Sequence, residues 1–320
     1  MSAPELLTIG RISVDLYAEQ QGPMSEVTTF AKSIGGTSTN VAVATARLGH
    51  RAAIVTKVGD DAFGRDVINA LEKRFGVDTT WVGTDPNLAT PLAFAELDPV
   101  EEPNIIFYRQ PAAPDMQLVP ADVATAPVND AKIVWVPASR FSADPSRSTV
   151  TEFLNRRNRK AHTVFDLDWR PHFWASEAEA TSWIAPLLSK FSIVIGNRDE
   201  VRIACGTDDP HEAADRLLEH GLDAAIVKMG GDGVLVALPD GTRTAIKPFP
   251  VDVVCGLGAG DAFGGAFCHG LLSGWPIVEC VRWGNAAGAI VAGRLMCADD
   301  MPYENEIQSF LDQREPSSDH

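Results

Sequence analysis

The stretch CGLGAGDAFGGAF at 255–267 places Gly256, Gly258 and Gly260 immediately before Asp261 and the apolar residues Ala262, Phe263, Ala266 and Phe267. Glycine serves where backbone must turn sharply or approach a ligand closely. The apolar run that follows has the spacing of a helix facing a core, so the pattern predicts a helix starting near Ala259. Free N–H groups of Gly258, Ala259 and Gly260 would form an anion hole there. A dinucleotide fingerprint is excluded because Phe263 stands where its third glycine belongs, and a Walker loop because the chain has no Gly-Lys dipeptide. Phosphoryl transfer needs developing negative charge to be held and a hydroxyl to lose its proton. Backbone amides do the first, and a carboxylate beside them, kept ionised by the helix dipole, does the second. The same pattern also suits an aspartate that only caps its helix.

These residues need a scaffold, and the rest of the chain supplies the marks of one. LLTIG (6–10) and AAIVTKVG (52–59) read as buried strands, and TSTNVAVATARLG (37–49) as a helix capped by Thr37 or Ser38 and closed by Gly49. A second helix is expected over 63–76. KIVWVP (132–137), HTVFDLD (162–168), FSIVIG (191–196) and AAIVKMG (224–230) repeat the buried-strand pattern, with helices between them such as DDPHEAADRLLEHG. VLVALPDGTRTAIKPF (234–249) reads as a hairpin. Alternating strands and helices predict an α/β fold, a doubly wound, mostly parallel sheet flanked by helices. Segments 11–34 and 88–112 alternate apolar and polar residues instead, and predict a small inserted antiparallel β lid. The expectation is one domain over 1–314 with a polar, disordered tail at 315–320.

With 45% hydrophobic and 22% charged residues among 320, the chain has the make-up of a soluble globular protein. Its net charge of −16 argues against nucleic acid or an anionic membrane as partner. The five cysteines show no C-x-x-C pair, so neither a zinc site nor a disulfide framework is expected, and a reducing cytoplasm is. No signal peptide is read in MSAPELLTIG, and no run of 18 apolar residues occurs.

GGTSTNVAVATARLG near the start and GLGAGDAFGGAFCHG near the end resemble the two signatures of the ribokinase-like (PfkB) carbohydrate kinases, and the likeness runs from Gly10 to about Ala298. The resemblance implies a kinase using ATP and Mg²⁺, with a β lid over a sugar site. It assigns Asp261 as catalytic base and Gly258, Ala259 and Gly260 as the anion hole. GNRDE matches the family's Asn-x-x-Glu motif, which puts Asn197 and Glu200 in the magnesium–phosphate network, and one Glu with one Asn leaves the open positions magnesium needs. VKMGGDGV points to Lys228, Gly230 and Gly233 near the nucleotide phosphates, and WGNAAGAI to Asn285 at the adenine. Asp15, Gly35, Gly36 and Asn40 match contacts to sugar hydroxyls. Cys255-Gly256-Leu257 replaces the Asp-Thr-x that helps some members bind a monovalent cation; Asp252 remains nearby, and the cation requirement stays open.

FDLDWRPHFW (165–174), with Asp166, Asp168 and Arg170 at a strand end, joins GRISVDLYAEQ and FYRQPAAPDMQL in resembling the branch that acts on 5-dehydro-2-deoxygluconate. Kinases of 2-keto-3-deoxygluconate and of fructose are neighbouring branches. On the predicted lid strand, Tyr108 and Arg109 would supply a fork for a sugar carboxylate. The same pair suits a nucleoside base poorly. A non-catalytic sugar or nucleotide sensor is the reading from another class, and the joint presence of base, anion hole and metal motif favours the enzyme. Paired lids are the expected route to a homodimer.

Overall fold

The computed structural model describes residues 3–160 and 162–314; the tail expected at 315–320 lies outside them. Thirteen strands form two sheets: β1 (Leu6–Ile9), β2 (Ser13–Ala18), β3 (Phe30–Gly35), β4 (Ala52–Gly59), β5 (Val82–Asp85), β6 (Leu92–Glu96), β7 (Asn104–Tyr108), β8 (Ile133–Pro137), β9 (Thr163–Asp166), β10 (Ile193–Asn197), β11 (Ala224–Lys228), β12 (Val234–Ala237) and β13 (Arg243–Ile246). The larger sheet runs β13-β12-β11-β10-β9-β8-β1-β4-β5. Its strands from β11 through β5 pair in parallel, and the β12–β13 hairpin closes one edge in antiparallel register.

Parallel strands buried on both faces must be apolar on both, which is why LLTI and IVWVP read as unbroken apolar runs. Leu6, Ile54, Ile133 and Trp135 face one core, packed with residues of helices Thr37–Arg47, Ala259–Leu272 and Ile277–Ala292. Leu7, Ile9, Val134 and Phe165 face the other, with residues of Ser146–Arg157 and Pro210–Leu218. From β1 the chain moves one way to β4 and β5, then returns to β8 and proceeds the other way. The switch point between β1 and β8 is where such sheets open a crevice at their carboxyl ends.

Beside this stands the lid, ordered β3-β2-β6-β7. It is antiparallel in its two outer pairs and parallel at its centre, where β2 meets β6. Alternation separates its faces: Asp15, Tyr17, Ala95 and Phe107 line a cavity, while Phe30, Phe94 and Tyr108 stack edge to face on the other side.

Two local expectations are corrected. Neither Thr37 nor Ser38 caps its helix: the N-cap is Gly36, and the two hydroxyls bond elsewhere, Ser38 donating to the Ile9 carbonyl at 3.0 Å. The helix expected over 63–76 is α-helical over Ala62–Asn69 and π-helical over Ala70–Phe75, starting from Asp61, whose carboxylate accepts from the Gly64 amide at 2.7 Å. Strand β5 has no counterpart in the sequence reading. All five cysteines are free, and among the described residues no helix is long and apolar enough to cross a membrane.

Candidate active site

Helix Ala259–Leu272 begins at Gly258, whose φ of 81° is left-handed and therefore suits glycine. A side chain there would also collide with Cys297. The first-turn amides of Ala259 and Gly260 have no carbonyl one turn back to bond and stay available for an anion. Asp261 is the third residue of the helix. Its carboxylate accepts from the Asn40 amide at 2.7 Å and lies where two cavities meet. One, of about 60 Å³, lies beneath the lid. The other is a wider cleft of about 700 Å³ that runs past Asn197, Glu200 and Lys228.

The helix dipole is not the only influence on the charge of Asp261. Burial outweighs the Asn40 hydrogen bond and the charges of Arg11 and Arg170, and pushes its pKa up to about 6. A base of that strength is ionised at neutral pH yet accepts a proton more readily than an exposed aspartate does.

Behind it, Asp168 is the hub of a charged cluster. Arg11 reaches its Oδ2 at 2.6 Å, the Thr37 and Ser139 hydroxyls donate to the same oxygen at 3.1 Å, and Arg170 Nε bonds Oδ1 at 3.0 Å. Burial alone would raise the Asp168 pKa, but Arg11 and Arg170 hold it well below the usual carboxylate range. Arg170 borders both cavities.

Asp15 enters the lid cavity from above, accepting from Ser13 at 2.6 Å and from the Tyr17 hydroxyl at 3.3 Å. Burial raises its pKa despite those bonds. A side chain at Gly35 would occupy the space of the Asp15 carboxylate, and one at Gly36 (φ 102°) would strike the Arg11 carbonyl. The two glycines therefore let the lid strand and the helix Thr37–Arg47 close around the cavity.

Asn197 and Glu200 form a capping box on helix Arg198–Cys205: Asn197 Oδ1 accepts from the Glu200 amide at 2.9 Å, and Glu200 Oε2 accepts from the Asn197 amide at 2.7 Å. The motif is thus both a helix start and a lining of the cleft, with the second Glu200 oxygen outside the box. Asp166, at the end of β9, faces the same cleft with its pKa pushed up to about 8. Burial is the main cause, with the charges of Asp168, Glu200 and Asp261 adding to it and Lys228 opposing. Lys228 lies in this acidic setting, and although burial opposes its charge, Glu200, Asp166 and Asp261 raise its pKa. Among the described residues no group of three or more His, Cys, Asp or Glu side chains could hold a metal alone. The oxygens of Asp166, Asn197 and Glu200 suit an ion shared with phosphate and water.

Other candidates are dispersed. Tyr108 is 63% exposed on the outer lid face, and Arg109 pairs with the fully buried Asp115 at 2.6 Å; neither borders the lid cavity. The expected carboxylate fork is therefore not assembled at these two residues. Asn285 donates to the Lys247 carbonyl at 2.7 Å, beside a shallow cavity between Ile246–Pro250 and Arg282. Gly230 is exposed in a turn, and Gly233 (φ 91°) packs under the Ile246 carbonyl. The sequence reading passed over Arg11 and Ser139 and took Thr37 only as a helix cap. Arg11 could have been noticed as a charge directly after an apolar strand and Gly10.

Comparison with known proteins gives the family of the chain. The profile of the pfkB family carbohydrate kinases matches residues 3–303. A 5-dehydro-2-deoxygluconokinase of Geobacillus thermodenitrificans is 32% identical over 314 residues, 96% of this chain and 93% of its own. Among solved structures, an aminoimidazole riboside kinase of Salmonella enterica, complexed with aminoimidazole riboside and an ATP analogue, is 28% identical at a TM-score of 0.79, covering 96% of this chain and 99% of its own. A double mutant of the fructokinase of Vibrio cholerae, bound to fructose, ADP and potassium, is 24% identical at a TM-score of 0.85, covering 97% and 99%.

Proposed function

The chain belongs to the pfkB family of carbohydrate kinases, and on that premise we propose that it transfers the γ-phosphoryl group of ATP to the 6-hydroxyl of 5-dehydro-2-deoxy-D-gluconate, with Mg²⁺ as the divalent cation. The observation that carries the chemistry is the place of Asp261, at the start of a helix and at the junction of the lid cavity with the cleft. Sugar held under the lid and nucleotide held in the cleft would meet along a seam that includes Gly258, Asp261 and Arg170. The sugar oxygen bonds to the γ-phosphorus, the bond from that phosphorus to the leaving oxygen of ADP breaks, and the hydroxyl proton passes to Asp261.

Each surrounding group has a task in that step. Amides at the helix start receive the charge of the transferred group, while Asn40 orients the carboxylate. Arg170, bordering both cavities, faces the same charge from the other side. Asn197, Glu200 and Asp166 would hold the magnesium ion, which when bound neutralises charge between the β- and γ-phosphates. Lys228 serves the phosphates from the end of β11. Lid residues exclude water that would otherwise hydrolyse ATP.

The acid sugar is favoured by the relatives of that name, which are similar over almost the whole chain, and by the guanidinium groups of Arg11 and Arg170 bordering the lid cavity. ADP release from ATP and Mg²⁺, measured side by side with 5-dehydro-2-deoxygluconate, 2-keto-3-deoxygluconate, fructose, ribose and adenosine, tests the reading. Preference for the first is expected. Preference for fructose would keep the chemistry and sink the acid-sugar assignment, and no activity with any of them would favour a sensor. We also propose that a second copy covers the outer lid face through Phe30, Phe94 and Tyr108. Light scattering should then report a dimer that Phe94→Glu turns into a monomer.

A further inference from the structure

We infer that Arg11, and not Arg109, is the residue that reads the acid group of the sugar; this deepens the acid-sugar reading above and rests on it. If the reacting hydroxyl lies against Asp261, the carboxylate at the other end of the chain must meet another wall of the same lid cavity. Two arginines border that cavity, Arg11 and Arg170. Arg170 also borders the nucleotide cleft and directs Nε to Asp168, which places it with the transferred phosphate. Arg11 borders the sugar cavity alone.

The hydrogen bonding of Arg11 is unfinished. Its Nη2 serves both Thr37 and Asp168, which anchors the guanidinium. Its Nε is buried with no partner. A buried charged donor without an acceptor costs stability, a cost that Arg140 also carries at Nε and Nη2; what sets Arg11 apart is that it borders the sugar cavity. The side chain is 5% exposed and its guanidinium lies over the Phe173 ring at 5.5 Å, so it is already ordered and little entropy is lost on binding. Arg109 shares that ring but gives its charge to Asp115. Asp15, the acidic group nearest the sugar on the lid side, has its pKa raised by burial, which weakens its repulsion of an incoming acid.

The test compares the sugar acid with its primary amide, which keeps the shape and loses the charge. Wild-type protein should prefer the acid. Arg11→Gln should lower kcat/KM for the acid by on the order of 10²-fold more than for the amide, the weight of one hydrogen-bonded charge, beyond whatever both substrates lose through Asp168. Arg11→Lys keeps a positive charge beside Asp168, guards against a folding defect, and should restore part of the preference. If acid and amide fall in parallel in both variants, Arg11 acts only by holding Asp168 and the inference is overturned. A wild-type preference that survives Arg11→Gln overturns it as well. If wild-type protein does not distinguish acid from amide, the acid-sugar reading itself fails, and Arg11 with it.

Discussion

Two clusters of the same composition, each with two arginines around one aspartate, flank the base of the lid. In one, Arg11 and Arg170 hold Asp168; in the other, Arg109 and Arg140 hold Asp115. The second is sealed. Asp115 and Arg140 are fully buried, Asp115 Oδ2 also accepts from the Ile12 amide at 3.1 Å, and Arg140 Nη1 bonds the Asp115 carbonyl at 2.8 Å. The first is open, with Arg170 39% exposed at its side chain and facing both cavities. Both clusters leave buried guanidinium nitrogens without partners, Arg11 Nε in one and Arg140 Nε and Nη2 in the other, so a buried arginine is informative by which cavity it borders. The sealed cluster ties lid strand β7 to the start of β2 and the turn after β8, while the open one presents charge to ligands.

That contrast predicts a separation of stability from activity, with Asp261 setting the outer limit. Asp261→Asn should lower turnover by about 10³-fold, as loss of a general base does, with its unfolding midpoint almost unchanged. Thermal melts run beside steady-state assays would expose a folding defect posing as a catalytic one. Next in size, Asp115→Ala strands two guanidinium groups in the interior and should cost about 3–5 kcal/mol of stability, read by urea titration. The folded fraction should keep kcat within a few-fold; a proportionate loss of turnover would break the comparison. Asp168→Asn should reverse the pattern, lowering kcat/KM on the order of 10-fold to 10²-fold for about 1–2 kcal/mol of stability, because Arg11 and Arg170 lose their orientation yet still face a polar cavity.

The smallest effect is in pH. Asp261 must be ionised to accept a proton, so kcat/KM should decline as pH falls through about 6, approaching tenfold per unit below it. Asp115 and Asp168 have lowered pKa values, so the stability they contribute is present above the unfolded carboxylate pKa and is lost only as pH falls through their folded values. Near pH 5 the protein should therefore be slow but folded. A circular dichroism melt paired with the pH–rate profile checks both halves, and simultaneous loss of fold and activity would contradict the assignment.

Legibility in the sequence followed periodicity. The parallel strands were visible because burial on both faces makes them continuously apolar, and the glycine–aspartate helix start because no other residue suits the backbone at Gly258. Arg109 was misjudged for want of a partner: Asp115 lies six residues on, and nothing in a linear pattern says that it folds back inside. Tyr108 was separable in principle, since the next position to Phe107 on a strand must face the other way. Arg11 follows a strand in a loop, where no period assigns a face. Asn197 and Glu200 line the cleft, and their second occupation as a capping box required coordinates.

The tip of the lid, between β6 and β7, ends on the glycine loop itself, where the Gly256 amide donates to the Val100 carbonyl at 2.8 Å and the Glu101 backbone packs against Gly256. The cover and the anion hole are thus one latch. Were the lid to lift at this end, it would let go of the glycine loop, so a conformation that exposed ATP to water would also be the one least equipped to cleave it. Frugality with ATP would in this way be built into one backbone contact, three residues ahead of the helix that carries Asp261.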